Sequence, residues 1–269
     1  MGTLMQRTYD LLALLLLLAV SGAALAQAPF DAFGRAGIDD RLGARIPLDT
    51  RVTTADGESV TLAELTDGKP IVFAPVLHDC PNICGVTLGG LRAAIANQQY
   101  QPGKDFQIVS FGIDPREGPA EAATEMKKLS ETGNGKLVST DAYHAVTADA
   151  GAIRAVTDAL GYRYAFDSSI NQFAHVAAVA VLTSDGRLVR WLYGVAPQPN
   201  DLRLALTEAG EGAIGDFGDQ LLLLCYHYDP TTGRYNSLVQ TMLRVAGGLT
   251  VLVLAFFLGR ALLRTRRTE

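Results

Sequence analysis

The sequence predicts an α/β domain built on a mixed central sheet, and three observations carry that prediction. Apolar runs of strand length, Ile71 to Leu77, Phe106 to Phe111 and Val176 to Thr183, are bounded by turn residues. Between them lie stretches of good helix formers with helical start and stop signals. Strand and helix alternate and then give way to a hairpin and a last helix, an order that covers a sheet on both sides.

Taken in order, Pro29 to Asp49 is rich in Gly, Asp and Arg and reads as an extended lead-in. Arg51 to Thr54 and Ser59 to Leu62 flank an Asp56-Gly57 turn, the pattern of a β-hairpin. Ala63 to Asp67 adds a helical turn. Ile71 to Leu77 is the central strand, and a helix follows from Thr87 to Asn97. Phe106 to Phe111 is a second strand that ends at Asp114-Pro115. Pro119 suits a first helical position, so Glu121 to Leu129 is a crossover helix. Lys136 to Ser139 reads as a short third strand, and Ala148 to Leu160 as a helix closed by Gly161. Val176 to Thr183 turns through Ser184-Asp185-Gly186 into Arg187 to Tyr193. Asn200 can cap a final helix, Asp201 to Ala209. This order is that of a thioredoxin-like domain. Neither an internal repeat nor a low-complexity segment interrupts it.

The ends of the 269-residue chain carry different signals. Arg7, the apolar run Leu11 to Val20 and the small residues Ala24 to Ala26 have the form of a secretory signal, residues 1–26, rather than of an uncleaved anchor. Residues 27–50 are then the lead-in, 51–212 the thioredoxin-like domain and 213–237 a juxtamembrane segment. Residues 238–263 are apolar around the whole helix and hold Gly247-Gly248, which favours a transmembrane helix over a buried amphipathic one, with Arg244 and Arg260 snorkelling. Arg264, Arg266 and Arg267 put the tail, 264–269, on the cytoplasmic side. The expected location is the inner membrane, single-pass, with the domain in the periplasm. The net charge of −5 argues against nucleic acid as a partner.

Chemistry concentrates after the central strand, where Cys80 and Cys84 flank Pro81-Asn82-Ile83. Two thiols on one turn can close as a disulfide or hold a thiophilic ion such as Cu(I). An oxidising compartment closes them unless a reductant or a metal intervenes. His175 opens an apolar strand; it is either a third ligand or a hydrogen-bonded structural histidine. His78 lies close to Cys80 but its strand position can point it away, and His144 reads as a solvated loop residue. Two thiolates and an imidazole suit Cu(I), with zinc the competitor, although zinc usually takes a fourth ligand. Cys225 and His227 form either a second, exposed copper site or part of a membrane-interface segment with Tyr226 and Tyr228.

Cys80-Pro81-Asn82-Ile83-Cys84, Asp114-Pro115 after the next strand, and His175 ahead of a strand ending in Asp185-Gly186 together resemble the Sco/SenC family. The resemblance spans Val52 to Ala209. It implies a thioredoxin-like copper protein that helps assemble the binuclear copper centre of cytochrome c oxidase, with Cys80, Cys84 and His175 as copper ligands. The implied partners are the copper-bearing oxidase subunit and an upstream copper donor or thiol reductant. Departures stand at Asn82, Gly85 and Gly118, where the family usually has an acid, a proline and an aspartate. Besides copper delivery, the residues allow a thiol-disulfide oxidoreductase in which Cys80 and Cys84 are the catalytic redox pair that reduces the oxidase cysteines. A peroxidase is less well served, since no threonine or arginine stands beside Cys80 in the usual activating arrangement.

Overall fold

The computed structural model describes residues 31–79, 84–131, 141–210, 226–229, 234–237 and 245–254. The chain begins with α1 (Ala32–Arg35), β1 (Gly37–Ile38), β2 (Arg51–Thr54), β3 (Ser59–Thr61) and α2 (Leu62–Thr66). The centre is β4 (Ile71–Val76), α3 (Cys84–Ala96), β5 (Gln107–Gly112), α4 (Pro119–Glu131), β6 (Tyr143–Thr147) and α5 (Ala150–Leu160). Three short strands follow, β7 (Tyr162–Arg163), β8 (Ala165–Asp167) and β9 (Gln172–Ala174), and then β10 (Ala178–Leu182), β11 (Leu188–Tyr193) and α6 (Pro199–Ala209). A separate hairpin pairs β12 (Tyr226–Asp229) with β13 (Arg234–Ser237).

Seven strands form the main sheet in the order β11-β10-β4-β5-β6-β2-β3. β4, β5 and β6 are parallel and every other pairing is antiparallel, so the sheet is mixed. Pleating sorts the apolar run of β4 between two cores. Val72, Ala74 and Val76 meet Leu88 and Leu91 of α3 and Leu202 and Leu206 of α6. Ile71 and Phe73 face the other way, against Ile153, Val156 and Leu160 of α5. A strand buried on both faces has no polar alternation to show, and β4 shows none.

Local chemistry explains several boundaries. Thr61 and Glu64 form a capping box that starts α2. Asp149 accepts from the N–H groups of Gly151 and Ala152 to start α5, and Gly161, at φ 68°, ends it in the left-handed region. The last helix starts earlier than Asn200 implies. Pro199 occupies its first turn and Gln198 takes the cap position without a side-chain bond, because proline's fixed φ already suits that turn.

The strand expected at Lys136 to Ser139 lies outside the described residues. The third parallel strand is β6, whose Tyr143 to Val146 pair with Ile108 to Phe111 of β5. His144 is therefore a strand residue and not a solvated one. It pairs with Val109, its Nε2 is buried with no hydrogen-bond partner among the described residues, and burial pushes its pKa down. A histidine and a tyrosine among small residues hide a strand whose burial comes from its neighbours rather than from its own hydrophobicity. Upstream, β1 pairs with β7 and Ile46 is buried, so residues 37–50 pack on the domain. Residues 245–254 are helical and exposed. Among the described residues no helix is long and apolar enough to cross a membrane. The proposed signal, and residues 238–244 and 255–263 of the proposed span, lie outside the described residues.

Candidate metal centre

Strand β4 aims the chain at the cysteine turn. Cys80, Pro81, Asn82 and Ile83 lie outside the described residues, and Cys84 is the first residue of α3. Cys225 also lies outside them, while His227 sits in β12 opposite Asn236. What the structure describes in detail is the chain that enters the turn.

His78 is turned inward and is 4% exposed. Its Nδ1 lies 2.9 Å from Glu125 Oε2 and its Nε2 lies 3.0 Å from the carbonyl oxygen of Val146. A carbonyl only accepts, so Nε2 carries a proton; a carboxylate at Nδ1 favours a second one. Burial pushes the imidazole toward neutrality, but the Glu125 hydrogen bond and charge outweigh it and hold the His78 pKa above its ordinary value. Tyr143 Oη donates to the other Glu125 oxygen at 2.7 Å. The close approach of the ring explains Gly112: a Cβ there would stand 2.9 Å from the His78 ring. Both ring nitrogens are engaged, so His78 is an anchor for the strand end, not a ligand.

The neighbouring residue is tied to the next loop. The backbone N–H of Asp79 donates to Glu117 Oε1 at 2.8 Å. Burial pushes the Glu117 carboxyl up. In the same loop the Arg116 guanidinium grips Asp114 with Nε at 2.8 and 3.0 Å and Nη2 at 2.5 Å from the carboxylate oxygens. Burial raises the Asp114 carboxyl, yet these hydrogen bonds prevail and hold it below the usual carboxylate range. Arg116 also reaches across to the β8–β9 hairpin, donating to Asn171 Oδ1 at 2.9 Å and to the Asn171 carbonyl at 3.2 Å. Its guanidinium lies 4.8 Å from the Phe166 ring centroid and 5.7 Å from that of Phe173.

His175 follows that hairpin directly and is half-buried, three residues ahead of β10. β10 runs antiparallel to β4, with Leu182 opposite Ile71 and Ala180 opposite Phe73. The N-terminal end of β10 therefore lies at the same end of the sheet as the exit of β4. Extended five residues, this register would bring His175 level with His78, two residues short of Cys80. The ladder stops at Ala180 because the next β4 residue facing β10 is Pro75, which has no N–H to give.

Tyr162 sets the orientation of the His175 ring. Its hydroxyl donates to the Val176 carbonyl at 2.7 Å and lies 2.9 Å from His175 Nδ1. The hydroxyl proton is committed to Val176, so Nδ1 must be the donor to Tyr162, and the lone pair of the neutral ring falls on Nε2. Burial lowers the His175 pKa and favours that neutral form. A neutral imidazole whose far nitrogen carries the lone pair is the form that binds a soft or borderline metal.

The SCO1/SenC family profile matches residues 41–207, well over half of the chain. The chain belongs to this family. Two solved structures agree on the fold, and a third is similar at a lower score. An Aquifex aeolicus VF5 protein, provisionally assigned to electron transfer, is 26% identical over 63% of this chain and 94% of its own, with a TM-score of 0.55. A SCO1/SenC family lipoprotein from Bacillus anthracis is 16% identical over 66% of this chain and 100% of its own, with a TM-score of 0.51. Copper-bound ScoI from Arabidopsis thaliana is 18% identical over 64% of this chain and 96% of its own, at a TM-score of 0.46. None of the curated proteins matches the chain.

Within the SCO1/SenC fold of this chain, the sequence-level reading singles out the termini of strands and misses what holds them. Glu125, Glu117, Arg116 and Tyr162 each touch the entry to the cysteine turn, the hairpin or His175. Glu125 could have been noticed as an acid on the inward face of an otherwise polar helix, since Ala122 and Met126 beside it pack on the core. Tyr162, next to the helix stop Gly161, carries no pattern of its own.

Proposed function

We propose that this SCO1/SenC protein is a membrane-tethered copper-delivery protein. In this reading it takes up Cu(I) through Cys80, Cys84 and His175 and passes it to the copper-bearing subunit of cytochrome c oxidase during assembly. Residues 1–26 are a signal, 238–263 span the inner membrane, and the domain works on the periplasmic side. The observation that supports the proposal is that His175 precedes β10 at the end of the sheet where β4 exits, with a ring tautomer that directs the Nε2 lone pair outward from Tyr162. Two thiolates and one such nitrogen form a low-coordinate set suited to Cu(I) and open to ligand exchange. Copper is cargo here, so an accessible site matters more than a closed one.

The test is copper stoichiometry and X-ray absorption on the reduced full chain, with His175→Ala beside it. The expected result is about one Cu(I) per chain in a coordination sphere of sulfur plus one nitrogen, as such a donor set requires, with the nitrogen and most of the affinity lost in the variant. Unchanged Cu(I) uptake by His175→Ala would overturn the ligand assignment.

A second reading is a thiol-disulfide oxidoreductase that uses Cys80 and Cys84 to reduce the oxidase cysteines. It is favoured by the likeness to the Aquifex protein provisionally assigned to electron transfer. Each turnover would move two electrons from the Cys80–Cys84 dithiol to a partner disulfide, leaving this pair oxidised until a thiol reductant restores it. His175→Ala separates the two readings, because dithiol exchange persists without the imidazole whereas copper retention does not.

A further inference from the structure

We infer that Arg116 is a positioning residue for His175, acting through the β8–β9 hairpin; this rests on the copper reading above. The hairpin consists of two three-residue strands that, among the described residues, pair only with each other. A two-stranded ribbon of that size is marginal by itself, so its place must come from outside contacts. Arg116 supplies several of them. One guanidinium binds the Asn171 side chain and carbonyl at the hairpin tip, lies over Phe166, and stays locked to Asp114 at the end of β5. Asn171 turns the tip through a left-handed backbone at φ 55°, a conformation that asparagine adopts more readily than other non-glycine residues, and so presents both its amide and its carbonyl to the guanidinium.

The same loop also holds the other half of the site. Glu117, the next residue, receives the Asp79 N–H, one position before Cys80. Adjacent residues thus grip opposite sides: Glu117 the entry to the cysteine turn, Arg116 the hairpin that leads to His175. The distance between the two halves depends on this short loop. Arg116 is a better device for this than lysine, because a planar fork can bind a carboxylate on one edge and an amide on the other while its face lies on an aromatic ring.

Cu(I) affinity of the reduced full chain, measured by competition with a chromophoric Cu(I) chelator, tests the assignment through a double-mutant cycle of Arg116→Gln with His175→Ala. Arg116→Gln alone weakens Cu(I) binding on the order of tenfold, the scale typical of partners that orient a ligand. In the His175→Ala background the same change has no further effect. Arg116→Lys keeps the charge and recovers part of the affinity, and Asn171→Ala, which leaves the Asp114 pair intact, reproduces part of the loss. Wild-type affinity in Arg116→Gln, or an equal loss with and without His175, would overturn the inference while leaving the copper reading in place. An unaltered affinity in His175→Ala would overturn both.

Discussion

The two arms that converge on the candidate centre are held by different kinds of contact. On the cysteine side, the exit of β4 is fixed from within: His78 is bracketed by Glu125 and the Val146 carbonyl, Tyr143 completes the Glu125 carboxylate, and Gly112 makes room for the ring. On the histidine side, the chain runs from β7 at Tyr162 to Ala178, where it rejoins the main sheet, and the hairpin between them packs Phe173 on the core and is gripped at its tip by an arginine whose side chain is 48% exposed. The first arm is part of the core. The second is attached to it. In the copper-delivery reading a site that accepts and releases an ion would gain from this asymmetry, because the histidine arm can shift without disturbing β4.

The comparison breaks most visibly if the buried network is cut. Glu125→Ala leaves the His78 imidazole and the Tyr143 hydroxyl without their carboxylate, and removing one partner of a buried ion pair typically costs about 3 to 5 kcal/mol. Denaturant unfolding of the full chain in the metal-free state measures it, and a loss below about 1 kcal/mol, the scale of an ordinary surface contact, would mean that the network does not anchor the strand. Gly112→Ala acts on the same ring by crowding. Its Cβ would stand 2.9 Å from His78 and 3.3 Å from the Val146 oxygen, both backed by core. Overpacking of that kind costs about 1 to 3 kcal/mol.

The protonation of His78 sharpens the same contrast. Its folded pKa is raised above the ordinary 6.5 by Glu125, so the stability it contributes is fully present below pH 6.5 and is lost as pH rises through the folded value. The stability gap between the wild type and His78→Gln, measured by unfolding in metal-free buffer, should therefore be widest at the acid end of that window and narrow on the alkaline side. A gap that widens with pH would show that the ring is neutral when buried.

The same asymmetry decides what could be read from residue order. β4, β5 and β10 are legible because their own side chains are largely apolar on both faces, and α5 because Gly161 marks its end. β6 is not legible, since Tyr143 and His144 owe their burial to β5 and to Glu125 rather than to their own hydropathy. The hairpin of β8 and β9 is missed for a related reason. Its strands are three residues long, and contacts from far along the chain help to place it, among them those of Arg116 from a loop some fifty residues earlier and the packing of Phe173 on the core. The cysteines and His175 are conspicuous as residue types. The groups that hold the chain ahead of Cys80 and around His175 are ordinary residues made special by distant neighbours, and no local spacing records that.

The smallest expected change concerns Tyr162, and it distinguishes orientation from packing. Tyr162→Phe keeps the ring, which is 1% exposed and stacks on Trp191 at 5.6 Å between centroids, and removes only the hydroxyl. Loss of the hydrogen bonds to Val176 and His175 should cost about 1 kcal/mol of stability. The effect on the proposed metal-binding ring is of another kind. Without the hydroxyl, the ring loses the Tyr162 oxygen and keeps its backbone hydrogen bond at Val176, so the tautomer with the lone pair on Nε2 is less firmly enforced. Cu(I) affinity should fall several-fold, within the low end of the range seen when an orienting partner of a ligand histidine is removed. X-ray absorption should still find the nitrogen, with a broader spread of distance. A Tyr162→Phe chain that loses the 1 kcal/mol or so of stability expected for a hydrogen bond yet binds Cu(I) as the wild type does would reduce Tyr162 to a packing residue, and the tautomer of His175 would then have to be set from another side of the ring.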